Sequence, residues 1–481
     1  MDDTASQRTT ARSTGLRLTI GAGLHSGPAL LIAFAFAVMA DPVSSVAYAI
    51  EAALRALHGD LALLLPTMAL VVGIIALVIT NYHQLVARFP EGGGAAAAAG
   101  AAFGEGWAFV PIGALIVDFV LTIAISVAAA SSAVIAYVPS LASARVPIAI
   151  GVLAAVAALT WFGHLGRAVF AVMTLGFVGA GLAVLVGGMG AAIPAHHAPS
   201  SAPPGHAAFI AVLLAFPVAM ALATGVEAPS SAVAQLGQLD DRGRRRFGRI
   251  TLWLTLVIVG TLTLGLTALA VHLHIGTPNA HSTQIADVAR ASVGRQLFAV
   301  FQIFTALLLL AAASSSFQAG PGLLKALARR THVSGAQTGV LHPRLGTTNV
   351  HHTPYWAVAV FFVVSALVVL AAGAHDQELV LFYAVSVFVS FLTGLIAMAK
   401  FSRESGRRWS LAMNALGALV VAFTLAVNLG RGNPIASVAA ALLIALVLYV
   451  LWSRAGRPRG IAQAVVEAET GESASPISTG R

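Results

Sequence analysis

The strongest constraint on this chain is its succession of apolar runs, each long enough to cross a bilayer, such as "LALLLPTMALVVGIIALVITNYHQLVA" (61–87). A spanning helix needs about 20 predominantly apolar residues, and the runs predict twelve segments, near 28–57, 61–87, 107–137, 146–162, 168–193, 208–236, 251–271, 296–318, 355–373, 379–400, 409–428 and 435–452. With 58% of residues hydrophobic and 9% charged, no soluble core could hide so much apolar surface, and lipid must solvate it. The fold expected is an all-α polytopic membrane protein. Residues 1–24 are expected to form a polar cytoplasmic tail, 25–453 the membrane domain, and 454–481 a short disordered cytoplasmic tail.

Orientation follows from the loops. Only Arg145, Arg290, Arg295 and Arg431 of the 27 Lys and Arg fall in the predicted outer loops, with Arg55 near the outer end of segment 1. The other 22 lie on the opposite side, as the positive-inside rule requires of cytoplasmic loops. The net charge of +9 therefore points to anionic lipid headgroups rather than nucleic acid. The sharpest marker, "DDRGRRRFGR" after segment 6, reads as a lipid-facing stop signal. Both termini are expected in the cytoplasm, and the protein in the cytoplasmic membrane of a bacterium.

Cysteine is absent, which excludes disulfides and thiolate chemistry. No HExxH or GxSxG motif indicates an enzyme, and no cofactor is expected. The pairs His196–His197 and His351–His352 lack the convergent carboxylates or thiols that a structural metal needs. The loop 195–206, rich in proline and serine, reads as a flexible connection.

Three acids interrupt the apolar segments: Asp41 in segment 1, Asp118 in segment 3 and Glu227 in segment 6. Each costs about 2.5–3.5 kcal/mol to insert, so a function has to offset it. In "ADPVSSVAY", Pro42 removes a helical hydrogen bond and disfavours helix in the residue before it. Ser44, Ser45 and Tyr48 supply hydroxyls nearby. In "ATGVEAPSS", Gly225 permits unwinding beside Glu227 and Pro229. Asp118 and Thr122 are four apart and share a helix face. Glu51 and Arg55, also four apart, read as a structural ion pair. The two acid–proline–serine breaks lie five segments apart, hence in opposite orientations. This is the sign of an inverted repeat with broken helices at the binding site, one repeat near 28–193 and the other near 208–400, followed by two further helices at 409–452.

The motifs "DPVSSVAYAIEA", "NYHQLVARFPEGGGAAAAAGAAFGEGW", "VDFVLTIAISVAA", "TGVEAPSSAV" and "FYAVSVFVSFLTG" together resemble the amino acid–polyamine–organocation superfamily. Within it they are most similar to the branch of bacterial KimA-type potassium–proton symporters. The resemblance implies a LeuT-like fold of two five-helix inverted repeats plus two helices, and ion contacts from Asp41, Tyr48, Asp118, Thr122, Thr224, Glu227 and Tyr383. It departs at Phe119, where that branch tends to carry tyrosine. Nor do the residues after 453 hold the large cytosolic domain expected of those importers, so the resemblance implies neither nucleotide-linked regulation nor their mode of dimer formation here; a homodimer stays admissible.

Amino acid carriers of this superfamily place a glycine-rich segment at the first break to receive a carboxylate. Here that place holds an acid, which would repel a carboxylate about 4 Å away by roughly 4 kcal/mol at an effective dielectric of about 20. The substrate expected is a small monovalent cation, potassium favoured, imported down a proton gradient. The alternative is an amino acid or polyamine, and a channel or transport-like sensor is more remote. Desolvated carboxylates close together hold a proton more tightly, so Asp41 or Asp118 is expected to carry the coupling proton. Substrate is expected at the midplane between segments 1, 3, 6, 8 and 10, with Ser314, Ser315 and Ser316 near the inner end of segment 8 as further hydroxyls.

Overall fold

The computed structural model describes residues 27–162, 166–191, 208–329, 339–431 and 435–470, among which there is no strand. The loop 195–206 and the pair His196–His197 lie outside the described residues. Segment 1 is divided into α1 (Gly27–Val38), α2 (Ala40–Ser44) and α3 (Val46–Ala56). Segments 2 to 5 are α4 (Leu61–Arg88), α6 (Phe109–Tyr137), α7 (Arg145–Trp161) and α8 (Arg167–Gly188), with α5 (Gly94–Phe103) in the connection between α4 and α6. Segment 6 is divided into α9 (Ala208–Ala219) and α10 (Ala228–Ala232). Then follow α11 (Asp241–His272), α12 (Gln284–Ser292), α13 (Arg295–Ala328), α14 (Tyr355–Ala371), α15 (Asp376–Glu404), α16 (Arg408–Leu429), α17 (Ile435–Arg454) and α18 (Gln463–Thr470).

Among the described residues, ten helices are long and apolar enough to span a membrane, against the twelve segments expected. The two others have physical causes for falling short. Segment 1 is divided at its breaks, and α14, though apolar, has 17 residues. Starts are set by side chains that accept the otherwise orphaned first amides. Asp60 accepts from Ala62 N at 2.9 Å before α4, and Asp240 from Gly243 N at 2.8 Å before α11.

Burial separates the helices into two kinds. α6 is the central one: in its spanning window 72% of residues are buried, against 17% for the helix through α7 and 22% for α16. α6 packs against α13, α15 and α17, and so touches the second expected repeat and one of the two additional helices. Asp118 and Thr122 therefore sit on one of the two segments best shielded from lipid, the other being segment 6 with Glu227. Leu419, Leu443 and Val363 remain exposed, as expected of lipid-facing positions.

The tail expected to be disordered from 454 is instead ordered to Thr470. Ile461, Ala464 and Val465 bury themselves against Ala96, Ala108, Leu323 and Leu327. The polar composition of this stretch concealed three apolar residues at a spacing that one helix turn brings to one face.

Candidate ion-binding site

The two breaks differ in depth. In segment 6 the chain runs from a 3-10 turn (Met220–Ala223) into an extended Thr224 (φ −64°, ψ 143°), then through Gly225 at φ +72° before α10 begins. Only glycine adopts that φ freely. Segment 1 is interrupted at Met39 and Ser45, yet both keep right-handed helical angles. Expected to unwind, it only loses continuity, because no glycine allows more. Its carbonyls are served locally: Ser44 Oγ donates to Asp41 O and Ser45 Oγ to Pro42 O, each at 2.6 Å.

The breaks abut. A Cβ on Gly225 would lie 2.7 Å from Asp41 Cγ and 2.8 Å from Pro42 N, so glycine here permits both the turn and the approach. Ser45 Oγ also reaches Leu222 O at 3.0 Å, and Tyr48 Oη lies 3.5 Å from Thr224 Oγ1. These contacts join segment 1 to segment 6 across the proposed repeat boundary.

Glu227 is held firmly. Tyr82 Oη from α4 and Ser390 Oγ from α15 both donate to its Oε2, each at 2.9 Å. The Tyr82 ring stands edge-on to Phe391, with centroids 5.8 Å apart. By contrast Asp41 Oδ1 and Asp118 Oδ1 are buried without a hydrogen-bond partner. Asp118 is within electrostatic range of both Asp41 and Glu227. Thr122, one turn beyond it, is 1% exposed. The fold thus brings Asp41, Tyr48, Thr224 and Glu227 to the junction of the two breaks, with Asp118 within electrostatic range of both acids and Thr122 one helix turn beyond it. Tyr383 lies on α15, but its side chain is outside the described set.

A cavity of about 610 Å³ reaches Asp41. Asp41 and Phe119 are at its depth, and Ser315, Ser316, Lys325 and Arg329 line its wall. Its mouth is on the side that carries the arginine cluster 242–249, here called the basic side. His351 and His352 line the same cavity, and among the described residues no three His, Asp or Glu side chains are grouped to hold a metal.

The sequence profile described as "Amino acid permease" matches residues 30–452. The chain belongs to the amino acid permease family. It is a membrane transporter of that superfamily rather than an enzyme. It is 30% identical over 404 residues, covering 80% of this chain, to the potassium transporter KimA of Bacillus subtilis (strain 168). The alignment covers 64% of that relative's length. A crystal structure of a manganese transporter variant from Eremococcus coleocola superposes with a TM-score of 0.50 at 14% identity, covering 90% of this chain and 95% of that one. That likeness concerns the fold, which is LeuT-like.

On the side away from the cavity mouth, the permease is closed by polar bonds. Glu51 pairs with Arg55 at 2.8 Å, as the spacing predicted, and its Oε2 also accepts the Gln284 amide of α12 at 3.0 Å. Ser132 Oγ of α6 donates to Asp376 Oδ1 of α15 at 2.7 Å and accepts from Arg145 Nη1 at 2.7 Å. Gln377 Nε2 donates to Asp376 Oδ2 at 2.9 Å. These bonds tie segment 1 to α12 and α6 to α15 on this side.

Sequence reasoning did not assign Tyr82 or Ser390, although both lie inside motifs that it singled out. The available signal was a hydroxyl within an apolar run. It also passed over Ser126, eight residues beyond Asp118 and on the same face, whose buried Oγ has no partner.

Proposed function

We propose that this permease is a proton-coupled secondary transporter that imports a small monovalent cation, potassium in the first instance. The observation that carries the reading is the asymmetry among three acids at the junction of two broken helices. Glu227 is doubly hydrogen-bonded, whereas Asp41 and Asp118 each keep a buried carboxylate oxygen without a partner. Buried, unpartnered carboxylate oxygens suit a cation that has shed its water, or a proton, and they repel an anion.

Among the described residues no Lys or Arg is buried, so three acids exceed what one monovalent cation neutralises. A proton on Asp41 or Asp118 supplies the difference, and its release towards the basic side would couple the two flows. The hydroxyls of Tyr48, Thr122 and Thr224 would complete the coordination. Topology supports import: the basic clusters favour a cytoplasmic face for the cavity mouth, with both termini on that face of a bacterial cytoplasmic membrane. The relative named as a potassium transporter supports the same substrate.

The second reading, an amino acid or polyamine, draws on the cavity of about 610 Å³, which exceeds the needs of a bare ion. A potassium-import-deficient bacterium expressing this chain should grow at micromolar potassium, and the same cells should show no gain in radiolabelled amino acid or polyamine uptake. Failure of rescue together with polyamine or amino acid accumulation would replace the first reading with the second. In liposomes, a protonophore should abolish uptake driven by an inward proton gradient.

A further inference from the structure

The motif "PEGGGA" and the ordered end of the chain meet on the basic side. Trp452 Nε1 donates to Pro458 O at 2.8 Å, turning the chain back after α17. The Glu105 carboxylate then accepts the amides of Gly460 and Ile461, at 3.0 and 2.8 Å. From that anchor α18 crosses the glycine loop, and a Cβ on Gly93 would lie 3.4 Å from Val466 Cγ2. The two glycines beside it press on segment 6: a Cβ on Gly92 would lie 2.8 Å from Ser231 O, and one on Gly94 2.9 Å from Ser231 Oγ. All three have positive φ (97°, 86° and 50°), so the triple glycine serves close backbone approach on two sides at once.

The other flank of α18 rests on α13, where a Cβ on Gly322 would lie 3.1 Å from Ala468 O. Glu467, Ala468 and Thr470 form part of the cavity wall, and Glu467 attracts Lys325 electrostatically. α18 also packs directly on α10 and on the turn Val233–Gln235 that follows it. It therefore grips the second half of segment 6 and α13 together, across the mouth of the cavity that reaches Asp41.

We propose that residues 460–470 act as a strap that restrains the gate on the basic side, setting how far α10 and α13 separate. Transporters of this architecture alternate access by moving one group of helices against another. An element that holds both groups loses one set of contacts whenever they part. The strap is suited to this: one short helix, one carboxylate anchor and a few small apolar side chains make a unit that opens at lower cost than the core. Its release gives wider access to the cavity, and through it to Asp41.

The absence of cysteine makes the test direct. A single Ala319→Cys, on the cavity wall, is modified with a water-soluble maleimide in purified full-length protein in lipid nanodiscs. Adding Glu105→Gln, which weakens the anchor, should raise the modification rate severalfold. Ala464→Asp, which places a charge in the strap's buried contact, should do the same if the first variant expresses poorly. Modification at the parent rate in both variants overturns the proposal. The readout requires no transported substrate, so its failure is distinct from failure of the cation assignment.

Discussion

The two broken segments carry the same residue types in the same order, yet they build opposite devices. Segment 6 unwinds through Thr224 and Gly225, and its acid is fixed by Tyr82 and Ser390. Segment 1 stays close to helical, and Asp41, which lines the cavity, keeps one buried carboxylate oxygen without a partner. One break fixes its carboxylate by hydrogen bonds; the other leaves a carboxylate that, in the proposed function, the transported cation or a proton would satisfy. On that proposal, a preorganised ligand beside an unsatisfied one would let the site fill and empty, because only part of its coordination is rebuilt in each cycle.

The largest effect should come from the charges. Asp118→Asn and Glu227→Gln should each abolish uptake in liposomes while the protein stays folded and inserted by size-exclusion profile. Normal uptake by either variant removes the three-acid site. Next is Gly225→Ala, which demands φ +72° of an alanine and sets a methyl 2.7 Å from Asp41 Cγ. The strain, about 1–3 kcal/mol, should appear as a lower melting temperature together with lost uptake. A variant with parental melting and rate would mean that the breaks need not touch.

Tyr82→Phe tests the fixed side of the comparison. Deleting a hydrogen bond to a charged group costs about 1.5–3 kcal/mol, so the half-saturation for potassium should rise about tenfold or more, with Ser390→Ala acting in the same direction. If both are silent, Glu227 is not preorganised and the contrast with Asp41 fails. The smallest change is expected from Thr122→Val, about 1 kcal/mol in apparent affinity if its hydroxyl is a ligand. An unchanged half-saturation strikes it from the coordination.

Much of this was legible in the residues because of what a bilayer forbids. An acid beside proline in an apolar run is too costly to be incidental, so Asp41 and Glu227 announced themselves, as did the paired spacing of Asp118 and Thr122. Tyr82 and Ser390 did not, since a hydroxyl inside a helix can bond its own carbonyls at little cost and carries no such warning. The tail after Arg454 was misread for a related reason: its anchor is a carboxylate 355 residues away in sequence, Glu105 to Gly460, which no local pattern reveals.

Insertion energetics acts on each segment separately, and so the sequence by itself determined the helical membrane architecture, the basic side and the family. Which acid is satisfied and which left bare was decided only by tertiary structure. That depends on hydroxyls delivered from α4 and α15 and on a glycine that lets two distant breaks touch, and such contacts exist only once the helices have packed.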